Sequence, residues 1–131
     1  MYADYPSVAL ILCAGVLGIM LFFSALVAPG IFKYLPIEWA AVYVRQFFPK
    51  YYAFLAFTTG LAGFFIKEQF LLSLVIACSG LFFYSWLILT PQVNRAKDAG
   101  RQKAFHYLHL LSVAINFLQM IALFVVVWRL A

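Results

Sequence analysis

Residues 8–28 read "VALILCAGVLGIMLFFSALVA", an apolar run in which Ser24 is the one polar side chain. A bilayer-crossing helix needs about 20 such residues. A run of this length without charge leaves few folds open to the chain. Three later stretches extend the pattern. Residues 70–89, "FLLSLVIACSGLFFYSWLIL", carry no charge, and residues 104–128 carry none beyond two histidines. Residues 51–66, "YYAFLAFTTGLAGFFI", are shorter and span if the flanking Lys50 and Lys67 reach for the headgroups.

The whole chain agrees. It has 131 residues, 67% hydrophobic and 10% charged, against ~25% charged in soluble domains. A soluble fold of this length exposes too much of its area to hide that apolar surface. The expectation is an all-α membrane protein forming a four-transmembrane-helix bundle in one domain, residues 1–131, with spans at about 8–29, 50–66, 70–90 and 104–128. Residues 1–7 carry Asp4 and neither Lys nor Arg, so the basic start of a cleaved signal peptide is missing and the first run is read as a retained span.

Lys and Arg set the expected orientation. Loops 30–50 and 91–103 hold Lys33, Arg45, Lys50, Arg95, Lys97, Arg101 and Lys103; the other side holds Lys67 and Arg129. The seven-to-two bias places these loops in the cytoplasm and both termini outside it. The net charge of +5 points to lipid headgroups, with anionic lipid as a partner for the loop "NRAKDAGRQK", rather than to nucleic acid.

Within the first loop, residues 37–48 read as a short interfacial helix, and Phe48-Pro49 as the entrance to the second span, with a break in helix direction at Pro49. A weak repeat pairs "LVAPGIF" with "LILTPQVN", matching Pro29 to Pro91, and "RQFFPKYYAF" with "RQKAFHYLHL". It suggests two tandem helical hairpins in parallel orientation.

The last span is the unusual one. At 100° per residue, His106, His109, Val113, Asn116 and Met120 share one arc, with Ser112 and Gln119 beside it. A polar stripe in lipid is expected to face other helices. His106 is expected nearer the surface, where it meets water or lipid phosphate, and His109 near the depth of Ser24 on the first span and of Ser85 and Trp86 on the third. Small residues Ala14, Gly18 and Ala25, and Gly60 and Gly63, are candidates for close helix approach.

The segments "LPIEWAAVYVRQFFPKYY" (35–52) and "HLLSVAINF" (109–117) resemble the transmembrane protein 205-like family of small four-helix membrane proteins. The resemblance rests on Leu35-Pro36, Phe48-Pro49 and the His109, Ser112, Asn116 pattern. It implies a polytopic four-helix protein of unestablished activity. Some relatives carry a histidine in the first helix and a long loop before the last; this chain has neither.

The favoured role for the stripe is structural: side chains that fix helix register inside an accessory component, either a homo-oligomer or a subunit of a larger membrane complex. An oligomeric transporter or channel for a small solute ranks next. Metal or haem binding through His106 and His109 ranks lower, since i,i+3 histidines can share one metal ion but cannot be the two axial ligands of one haem. Paired carboxylates, phosphate loops and nucleophile–base patterns are absent from the sequence, which leans away from an enzyme.

Overall fold

A computed structural model describes residues 5–131; Asp4, which entered the reading of the N-terminus, lies outside them. Four helices account for nearly all of the described chain: α1 (Pro6–Tyr34), α2 (Ile37–Gly63), α3 (Gln69–Asp98) and α4 (Gln102–Leu130). Of these, α1, α3 and α4 are long and apolar enough to cross a membrane. The first half of α2 carries Glu38, Arg45, Gln46 and Lys50, and α2 does not reach the same apolarity.

Short connections force neighbours to run antiparallel. Leu35 is extended (φ −102°, ψ 144°) because the ring of Pro36 excludes helical backbone before it. The Pro36 carbonyl then accepts from the Trp39 and Ala40 amides to start α2. Glu68 caps α3, its carboxylate accepting from the Phe70 amide at 2.8 Å. α3 ends at Gly100, with φ +71°. The Gly100 amide donates to Lys97 and the Arg101 amide to Ala96, a paired closure that needs a left-handed residue at this position. Around the ring, α1 packs on α2 and α4, and α3 packs on the same two.

Three prolines sit inside these helices, and two mechanisms absorb them. Pro29 and Pro91 are each preceded by a π-helical turn, Phe23–Val27 and Ser85–Leu89. The Ala28 amide donates to the Phe23 carbonyl and the Thr90 amide to the Ser85 carbonyl, each five residues back. A proline supplies no N–H and its ring crowds the carbonyl four residues earlier; a widened turn relieves that crowding. The two prolines matched by the sequence repeat therefore occupy the same local geometry.

Pro49 is handled by packing. The structure corrects the expected interfacial helix over 37–48 and the break at Pro49: α2 runs uninterrupted from Ile37 to Gly63 through the proline. Loop 30–50 is correspondingly reduced to Leu35-Pro36. Phe23, at the π turn of α1, lies 5.0 Å from Phe47, 5.5 Å from Phe48 and 4.9 Å from Tyr51 between ring centroids. Phe48 also stacks on Tyr52 at 5.6 Å. Each such pair contributes about 0.5–1.5 kcal/mol beyond its buried area, enough together to offset the roughly 3 kcal/mol of an interior proline.

The interior is lined by Ala9, Cys13, Val16 and Met20 of α1, Leu55, Ala56 and Ala62 of α2, Leu71, Val75 and Phe82 of α3, and Leu123 and Val126 of α4. Large apolar side chains such as Ile11, Phe22, Phe57, Phe117 and Leu118 point outward. That surface suits hydrocarbon and not water. Two ion pairs clamp the ends. Arg45 holds Asp98 through two bonds of 2.8 and 3.1 Å, joining the start of α2 to the end of α3, and Arg129 meets Glu68 at 3.3 Å at the opposite end.

The closest approach lies between α2 and α3. The Ser79 hydroxyl donates to the Ala56 carbonyl at 2.9 Å, and a methyl group added at Gly60 would meet the Ser79 Oγ at 3.2 Å. Gly60→Ala is expected to lower stability in detergent by about 1–3 kcal/mol through overpacking. Adding Ser79→Ala removes the clashing atom, so thermal unfolding of the double variant should show less loss than the two single losses combined. Additive losses would place the strain elsewhere.

Candidate functional site

The buried polar groups gather where α2, α3 and α4 meet. Gln119 is 1% exposed, and its Nε2 donates to the Cys78 carbonyl at 3.0 Å. The Cys78 thiol lies 3.9 Å from the Gln119 carbonyl, a weak return contact. Ser79 bonds to α2 one residue further along. Both polar side chains are thus tied to backbone carbonyls of a neighbouring helix, which locks helix register without needing a second polar side chain. Cys13 and Cys78 are both buried and free.

Four buried oxygens in the same interior have no partner among the described residues: the Tyr51 hydroxyl, Thr59 Oγ1, Asn116 Oδ1 and Gln119 Oε1. Asn116 is half-buried and stands beside Tyr52. Unpaired polar atoms in a low-dielectric interior cost free energy unless water or a ligand reaches them.

The structure divides the expected stripe of α4. Gln119 is buried and Ser112 and Asn116 are half-buried, but His106 and His109 are exposed, as is Val113. The inward face runs instead through Ile115, Gln119, Leu123 and Val126. The inward face is therefore turned by roughly 100° from the expected arc. Ser112 spends its hydroxyl on its own helix, donating to the His109 carbonyl at 2.9 Å. His109 stacks on Phe105, with centroids 6.1 Å apart.

Leu108 shares one depression with Gln92, Arg95 and Arg101, so the first two turns of α4 stand level with the basic last turns of α3. His106 lines a second depression with Lys97 and Arg101. His106 therefore stands at the charged end of the bundle, within reach of water and headgroups.

The expected partners separate likewise. Ser24 is exposed on α1 and faces away from the stripe. Ser85 is buried and opens the π turn of α3. Trp86 is half-buried against Phe57 and Phe83. Phe48 and Pro49 are half-buried within α2, in the aromatic cluster around Phe23. Of the small residues, Gly60 and Gly63 do meet α3, whereas Gly15 and Gly18 have open space beside them and Ala14 and Ala25 are exposed. Among the described residues no group of three or more His, Cys, Asp or Glu side chains converges as metal ligands do. Two features lay beyond periodicity: the Arg45–Asp98 pair, which links positions 53 apart, and the unpaired Tyr51 hydroxyl.

A family described as a domain of unknown function, DUF4149, matches residues 11–102 of this chain. No curated protein and no solved structure matches it.

The site yields a ranking that helical spacing would not. Gln119→Leu removes an interhelical bond from a buried position and is expected to cost about 0.5–1.5 kcal/mol. His106→Leu and His109→Leu change exposed positions and should stay within about 0.5 kcal/mol of the parent. Thermal unfolding of the three variants in one detergent checks the order; a larger loss for either histidine would return it to the interior.

Proposed function

The chain belongs to the DUF4149 family, a domain of unknown function, and from that membership and its fold we propose that it is a four-span membrane protein serving as a packing component of a larger assembly. Three helices have the length and apolarity to cross. α2 leaves α1 after two residues, lies antiparallel to it, and ends five residues before α3 begins. If α1 and α3 both cross, α2 has to carry the chain back between them. Its polar first turns then stand at the basic end beside Asp98 and Arg95.

The basic end carries the seven Lys and Arg of the 1–2 and 3–4 connections and their flanks, and the Arg45–Asp98 pair brings those two connections together. The positive-inside rule supports a cytoplasmic placement of this end, with both termini on the other side. The pairing of π turns before Pro29 and Pro91 supports two tandem hairpins as the underlying unit.

The observation that carries the packing role is how the buried polar side chains are used. Gln119 and Ser79 bond to backbone carbonyls of adjacent helices, as register-setting groups do. Open space beside Gly15 and Gly18 on the outer face of α1 supports close approach of a further helix, from a second copy or another subunit. A solute path through an oligomer is the second reading, favoured by the four unpartnered oxygens of the interior. A metal held by His106 and His109 ranks below both.

Reporters test the topology. Fusions at the two termini should both be active outside the cytoplasm, and one inserted near Asp98 should be active inside. Termini on opposite sides would mean that α2 does not cross. Crosslinking in native membranes before purification in mild detergent tests the assembly: a species larger than a single 14.9 kDa chain is expected, joined to a second copy or to another subunit, and a chain that crosslinks to no protein would overturn the packing role.

A further inference from the structure

The basic end of the bundle is shaped as well as charged. A depression of about 510 Å³ lies at the α3–α4 turn, lined by Lys97, Gly100, Arg101, Gln102, Phe105 and His106. A second, of about 230 Å³, adjoins it and is lined by Gln92, Arg95, Arg101 and Leu108. Arg101 borders both.

The positive charge here exceeds its internal counterpart. Asp98 is the acidic side chain of this turn, and both of its oxygens are engaged by the Arg45 guanidinium. Among the described residues, Arg95, Lys97, Arg101 and Lys103 form no ion pair. The first turn of α4 carries no acidic residue. The Lys97 ammonium lies 5.1 Å from the Phe105 ring centroid, which draws it toward the wall of the larger depression. Guanidinium and ammonium groups left unpaired around a concave surface are the complement of a multivalent oxyanion.

Position narrows the oxyanion. From the depression, α4 continues in steps of three or four residues through exposed His109, Leu110, Val113 and Phe117. A ligand with its charge in the depression would meet an apolar, lipid-facing track directly above it. We propose that this end binds the phosphate of an anionic glycerophospholipid, with Arg101 and Lys97 as its principal contacts, Arg95 and His106 flanking, and an acyl chain along Val113 and Phe117. The Arg45–Asp98 pair serves this site by occupying the carboxylate that would otherwise compete for the cations. The proposal rests on the membrane reading above, and a lipid headgroup is favoured over free phosphate because of the apolar track.

Native mass spectrometry of the full chain in detergent, titrated with phosphatidylglycerol or phosphatidylcholine, tests it. Phosphatidylglycerol should bind at least about tenfold more tightly. Arg101→Gln and Lys97→Gln should each weaken it about fivefold, while Arg129→Gln at the opposite end leaves it unchanged. Arg45→Gln frees Asp98 and should also weaken binding, and Asp98→Asn in that background should restore it. This restoration tests the site even if one single variant fails to fold. Glycerol 1-phosphate should not displace the lipid at equal concentration. Displacement would reassign the site to soluble phosphate and overturn the lipid. Equal binding of the two lipids, or equal weakening by Arg129→Gln, would reduce the effect to diffuse charge and overturn the site, while retention of the protein in carbonate-washed membranes would leave the membrane reading standing.

Discussion

Hydrocarbon offers a backbone no hydrogen bonds, and most of this structure follows from that. A crossing segment has to satisfy its own amides and carbonyls, which makes helix the only open-ended solution. Every proline inside such a helix then removes one bond that the solvent will not replace. Pro29 and Pro91 lie in α1 and α3, which have the length and apolarity to cross, and Pro49 lies between them in sequence, inside α2. Widened turns absorb the first and last, each with an amide reaching five residues back. Pro49 is carried instead by aromatic contacts on both of its flanks. Phe23 connects the two mechanisms, because it opens the π turn of α1 and also packs on Phe47, Phe48 and Tyr51.

Helices in lipid gain little from the hydrophobic effect when they associate, so close packing and a few polar contacts hold them in register. The contact of α2 with α3 shows both: Gly60 admits Ser79, and the Ser79 hydroxyl reaches the Ala56 carbonyl. Gln119 does the same between α4 and α3. Backbone carbonyls are acceptors at every turn, so one polar side chain suffices at each contact. The buried oxygens of Tyr51, Thr59, Asn116 and Gln119 are the exceptions, without a partner among the described residues.

Charge is sorted by end. At one end Glu68 answers Arg129. At the other, Arg45 consumes Asp98 and leaves a surplus of cations around two depressions. Exposed pairs of this kind contribute little to stability. Their greater consequence is for what the surrounding surface attracts.

The helical class and the apolar runs were legible in the sequence, because length and polarity answer directly to bilayer thickness and solvation; the first turn was not, since residues 30–50 read as a loop and the structure leaves only Leu35-Pro36 between helices. The sequence also showed Pro29 and Pro91 as equivalent, and the structure places both after a π turn. Single-helix periodicity did not determine which side of α4 faces inward. A helical wheel puts His106 and His109 on the expected inward arc, but both are exposed, and Ile115, Gln119 and Leu123 turn inward instead. Pro49 looked like a boundary for the same reason: a local rule sees the lost amide and not the rings of α1. These points emerge only from the packing of the helices, since each depends on what a neighbouring helix presents at that height.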